Sequence, residues 1–221
     1  MRKLLVVLVV FAGALLAGDA AARSWAESKL AEQAAAYYPQ SSGASASIRS
    51  FPFLGRLFLV GDVPGVSVAM TGVQADPVLV ETVTFDLERV EVDRSELFSG
   101  RVRLFDIGRG RIEARIDGPS LARAVGVDVR FSEGSVEIRR QIRGVDVTAT
   151  AQVSIEGNVV RLTPTSVQGL RVPLESLAVE YRIPGVDIVP CVADARPVAG
   201  GLMLSCEIDD IPAPLVRAVG G

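Results

Sequence analysis

The chain reads as an α+β fold that is mostly β: a long antiparallel sheet with few helices, after an N-terminal signal or anchor helix. Three observations predict this. Apolar residues make up 49% of the 221 residues but aromatics only 5%, and the valine-rich remainder favours strands, where branching at Cβ is tolerated. From Ala44 onward, apolar and polar residues alternate with a period of two, which puts one face of each strand in a core and the other in water. Segments with helical periodicity are few and short.

The N-terminus comes first. Arg2 and Lys3 precede an apolar run from Leu4 to Gly18, and Ala20-Ala21-Ala22 resembles a signal cleavage site. The run, about 15 residues and about 22 Å as a helix, is short of the roughly 20 residues of a full span. Export from the cytoplasm is the expectation, either with residues 1–22 cleaved as a signal or with the helix kept as an anchor. Arg23 to Tyr37 has a helical pattern, with Trp25, Leu30, Ala34 and Tyr37 on one side, and Pro39 stops it. Residues 23–221 then form a single domain, long enough to bury a core.

The strands follow. Val66 to Met70, Thr84 to Glu88, Val90 to Val92 and Arg111 to Ile116 all alternate. Val127 to Phe131 and Val136 to Ile138 flank Ser132-Glu133-Gly134, a short turn that makes them a hairpin. Val145 to Ile155 and Val159 to Leu162 flank Glu156-Gly157-Asn158 and make a second. Pro119 to Val125 is a short helix, with Pro in its first turn and Gly126 beyond its end. Further helical turns are predicted around Val172 to Leu177 and Pro214 to Val219. This helical supply is small for so much one-sided sheet. Either the sheet folds on itself as a sandwich with a dry core, or it leaves an apolar groove that suits a lipid.

Cys191 and Cys206 are the only cysteines and flank the turn Ala199-Gly200-Gly201. In an exported chain this pattern predicts a disulfide, worth about 3 kcal/mol for a loop of about 15 residues. Ser50 to Gly61 holds Phe51, Phe53 and Phe58 with a single charge and fits neither period. It is either core or an apolar surface for lipid or membrane. On the second reading, Phe51, Phe53, Leu54, Leu57 and Phe58 are the candidate lip. Arg139, Arg140 and Arg143 form a small basic cluster, either a solvated strand face or a contact for an anionic head group.

Other chemistry is excluded or unsupported. The chain has no histidine, which removes His-based triads, bases and metal sites. Net charge is −3 and the pI about 5.2, contrary to a nucleic-acid binder. Gly108-Arg109-Gly110-Arg111 lacks the Lys-Ser/Thr of a phosphate loop, and no G-x-S-x-G elbow occurs. No catalytic residue, metal site or cofactor is expected.

The order of features nevertheless carries a resemblance. An apolar N-terminus and a helix are followed by Ser50-Phe51-Pro52-Phe53-Leu54, Gly61 and the strand around Val66-Ser67-Val68. Then come Gly118-Pro119-Ser120-Leu121-Ala122-Arg123-Ala124, alternating strands, and Arg196-Pro197-Val198-Ala199-Gly200-Gly201-Leu202. Over residues 1–217 this resembles the actinobacterial LmeA-like phospholipid-binding family. The resemblance implies an elongated, twisted sheet around helices, similar to tubular lipid-binding (TULIP, BPI-like) domains. It also implies a cell-envelope or periplasmic protein with a phospholipid partner, with the phosphatidylinositol type as the candidate, acting near a membrane surface in lipomannan-type glycolipid biosynthesis or lipid transfer. The competing reading is a β-rich interaction module of an envelope assembly.

Overall fold

The computed structural model describes residues 2–75, 77–92, 104–142, 144–156, 159–168, 173–182 and 192–209. Helix α1 (Arg2–Tyr37) leads into β1 (Gly43–Ile48), α2 (Phe53–Leu59), β2 (Asp62–Ala75), β3 (Val78–Val92) and β4 (Leu104–Asp117). After α3 (Gly118–Val125) come β5 (Asp128–Ser132), β6 (Ser135–Ile142), β7 (Val145–Glu156) and β8 (Val159–Gln168). A 3-10 turn (Leu174–Leu177), β9 (Val179–Arg182), β10 (Val192–Val198) and β11 (Gly201–Asp209) complete the described chain. The fold is α+β and mostly β, with 57% of the described residues in strands, a curled antiparallel sheet and an N-terminal helix.

The strands form two antiparallel sheets. The first has the order β1-β2-β3-β4-β11-β10 and the second β5-β6-β7-β8-β9. The second sheet is a meander of neighbours in sequence. The first is closed by a return of the chain, because β11 pairs with β4, setting Glu207 opposite Arg111 and Leu202 opposite Ile116. The turn at the β10–β11 hairpin also joins the two sheets. Gly118 N–H donates to the Gly200 carbonyl (2.9 Å), Gly200 N–H to that of Phe131 (3.2 Å), and Gly134 N–H to that of Pro197 (3.3 Å). These backbones approach too closely for side chains: a Cβ on Gly118 would sit 2.7 Å from the Gly200 carbonyl oxygen, and one on Gly201 2.2 Å from that of Ile116.

Helix α3 forms for local reasons. The Asp117 carboxylate accepts from Ser120 N–H (2.9 Å), Pro119 fits the first turn, and Gly126 ends the helix at φ 68°. Its apolar side carries Leu121 into the core, and the Ser120 hydroxyl accepts from Leu79 N–H (3.1 Å), tying α3 to β3.

Among the described residues a small third cluster, Val147, Ala149 and Leu177, accompanies two large cores. One joins α3, the second sheet and one end of the first sheet around Ile116, Leu121, Phe131, Ile138, Leu162 and Leu202. The other lies around Ala26, Ile48, Phe53, Leu57, Val63, Val66 and Val90, and so joins α1, α2 and the β1–β3 end of the first sheet. The sequence expectation of a helix beginning at Arg23 changes here. One uninterrupted helix runs through Ala20–Ala22, so a boundary at residue 22 falls inside α1.

Candidate functional site

The first sheet has two chemically opposed faces. Residues directly across a ladder share a face. Val68, Phe85, Ile112 and Cys206 form one such row, and Met70, Val83, Ala114 and Leu204 the next. Met70 and Cys206 are buried, whereas Val68, Val83, Phe85, Ile112, Ala114 and Leu204 are only half-buried. Val68 shoulders against the α1–α2 core and Leu204 against the α3 core. Val83, Phe85, Ile112 and Ala114 belong to neither among the described residues. At a strand spacing of about 4.8 Å, four strands give a strip roughly 14 Å wide. It is apolar throughout and bounded by a packed core at each end.

The other face is charged. Ser67, Asp86, Arg111 and Glu207 form its central row. Arg111 is paired with Glu207, Arg49 with Asp86 at 3.6 Å, and Arg115 with Glu81 at 2.6 Å. The hydrogen bond and charge of Glu207 hold the Arg111 guanidinium above its ordinary pKa, as Glu180 and then Glu156 do for Arg161 on β8. Two concavities of about 530 and 410 Å³ open on this charged face. Their walls are mostly arginine, glutamate and aspartate side chains, against which an acyl chain gains nothing. Among the described residues, the apolar strip on the opposite face has no such charged wall.

The second notable place is the corner between α1 and α2. Helix α1 as a whole is long and apolar enough to cross a membrane; its apolar window has a mean hydropathy of 2.4 and is almost wholly exposed. Asp19 interrupts it and is only 7% exposed. Its two carboxylate oxygens accept from the N–H groups of Phe53 (2.9 Å) and Leu54 (2.6 Å), the first turn of α2. Beyond it Ala26 is buried, and the Glu27 carboxylate accepts from Ile48 N–H (2.8 Å).

The residues singled out from the sequence are placed as follows. Phe51 (72% exposed) and Phe58 lie on the surface beside Leu59 (83%) and Val60. Phe53 and Leu57 are buried in the α1–α2 core, and Leu54 is half-buried against it. The one segment thus divides between core and surface, because its seven-residue helix turns Phe53 and Leu57 inward together at i, i+4. Arg139 and Arg140 are exposed on β6 of the second sheet. Arg139 faces Glu137 (3.4 Å) and Arg140 donates to the Ser176 carbonyl (3.3 Å). They are not brought together with the phenylalanines, and Arg143 lies outside the described residues. Cys206 is buried on β11 opposite Ala193; Cys191 also lies outside the described residues. The apolar strip was not singled out from the sequence, although its signal was there: Val68, Phe85 and Ile112 are the inward positions of alternating runs, and only their register joins them.

The model of the LmeA-like phospholipid-binding family matches residues 17–207. The chain belongs to that family. Neither a curated protein nor a solved structure matches it. Membership in a phospholipid-binding family assigns lipid binding in general terms, and the long apolar N-terminal helix is compatible with an export signal or a membrane anchor.

Proposed function

We propose that this LmeA-like chain is a non-enzymatic, exported phospholipid-binding protein of the cell envelope. Its acyl-chain site is the apolar strip of the first sheet. The observation that carries this is the pair of rows Val68–Phe85–Ile112 and Val83–Ala114–Leu204, half-buried between two filled cores. Each buried CH₂ contributes about 0.8 kcal/mol, so two acyl chains bind without a specific polar partner. Such a carrier needs no catalytic group and serves lipid transfer or lipomannan-type glycolipid synthesis, with a phosphatidylinositol-type lipid as cargo. Phe51 and Phe58 face the membrane, while Phe53, Leu54 and Leu57 brace them from below. Arg139, Arg140 and Arg143 remain candidates for a head group at the second sheet. A Cys191–Cys206 disulfide belongs to this reading, supported by the absence of a free cysteine among the described residues; residues 23–221 act as one domain.

The test is native mass spectrometry of the full chain, purified from an exporting host, before and after delipidation. The expected result is a phospholipid mass excess that Phe85→Asp with Ile112→Asp removes from a still-folded protein. Lipid content unchanged in that variant overturns the assignment of the strip. One observation favours the alternative of a protein-interaction module, namely the charged face with its paired arginines. A chain that is lipid-free as purified and takes up no added phosphatidylinositol supports that alternative.

A further inference from the structure

Asp19 sits where a carboxylate is costly. The apolar run before it, Leu4 to Gly18, is about 22 Å long as a helix, whereas the hydrocarbon core of a bilayer is about 30 Å thick. A helix that spans with this run draws Asp19 and whatever is attached to it into the membrane boundary. Ionisable groups persist at such depths only when they face protein and are paired. Asp19 meets both conditions: it is buried, and both oxygens accept backbone N–H bonds from α2. The surface around this contact is apolar as well, with Phe51, Phe58, Leu59 and Val60 all exposed.

The same contact bears on processing. The cleavage-like Ala20–Ala22 lies after Asp19, so cutting there removes the group that caps α2. It also lies within continuous helix in the folded chain. Just beyond, Ala22 and Ala26 pack into the core shared with Phe53 and Leu57. The helix is therefore part of the folded body on both sides of the supposed cleavage point.

We infer that α1 is retained as a membrane anchor and that Asp19 locks α2 against it, so that Phe51 and Leu59 are seated in the surface of a phospholipid bilayer. This rests on the membrane-facing part of the function proposed above and adds the retained helix and its lock.

The test uses the full chain, extracted from membranes and reconstituted in vesicles of phosphatidylcholine and phosphatidylglycerol. Trp25 is the only tryptophan, so Trp25→Phe gives a silent background for single reporters. Leu59→Trp, with Phe51→Trp as a second reporter at the same corner, is expected to lose emission to lipids spin-labelled near the glycerol backbone. Both are expected to resist aqueous iodide. Glu133→Trp, in the β5–β6 turn, is expected to show the reverse. The intact mass before reconstitution is expected to match the whole 23.4 kDa chain. Corner reporters quenched by iodide and not by lipid labels overturn the seating. A membrane-extracted chain that begins after Ala22 overturns the retained anchor, and if it still carries phospholipid on the first sheet, the acyl-chain site stands without it.

Discussion

Replacing Asp19 with alanine isolates the lock between α1 and α2. Two backbone N–H groups, at 2.9 and 2.6 Å, lose a charged acceptor. Loss of an N-cap alone costs about 0.5–2 kcal/mol, and bonds to a charged group contribute about 1.5–3 kcal/mol. Some of this is recovered because α2 is short and its first turn can bind water once it opens. The net expectation is about 2–3 kcal/mol against the closed corner, a factor of roughly 30 to 150 in its opening constant. Hydrogen exchange of the full chain in detergent or vesicles reads this directly. The amides of Phe53 and Leu54 should exchange faster by that factor, while those of β6, a central strand of the second sheet, keep their protection. Asp19→Asn, which retains one acceptor oxygen, should show a smaller increase. Unchanged exchange at Phe53 and Leu54 in Asp19→Ala would refute the reasoning, as would equal acceleration throughout β6, which signals global destabilisation instead.

Three further outcomes are expected. Leu121→Ala empties a site only 2% exposed in the α3 core and should cost about 2–5 kcal/mol, read as a lowered urea midpoint at constant slope. Gly201→Ala forces a Cβ to within 2.2 Å of the Ile116 carbonyl oxygen. Neither partner is a flexible side chain, so about 3 kcal/mol is expected, a fall in Tm of about 6–12 °C by calorimetry. Glu207→Gln breaks a pair whose side chains are both more than half exposed. It should leave thermal stability unchanged in low and high salt, because water already screens the charges.

Much of the fold was legible in the sequence because its determinants are local. The turn at Glu133-Gly134 needs a left-handed residue, and Gly134 supplies it at φ 73°. Asp117, Pro119 and Gly126 bracket α3 with short-range signals, and Pro39 lies just past the end of α1. The stretch from Ser50 to Gly61 was not legible. Its helix is seven residues long and is capped by a side chain 34 positions away, and no window of periodicity reaches that far. The site shows the same division. Alternation marks Phe85 and Ile112 as inward, but whether an inward residue is covered depends on what packs over the sheet. Phe53 and Phe58 have the same composition around them, and only the turn of α2 separates core from surface.

The return of β11 to β4 also sets an order of assembly. The second sheet is made of sequential hairpins and closes its ladders over short loops, whereas Arg111 and Glu207 meet across 96 positions. Local pairings form early and distant ones late, because closing a long loop costs entropy before any contact repays it. A chain synthesised from its N-terminus therefore completes β5–β8 while β4 is still an open edge, with its ladder unfilled beside the apolar row of Phe85 and Ile112. Until residues 201–209 arrive, that edge is an unpaired template for association with another chain.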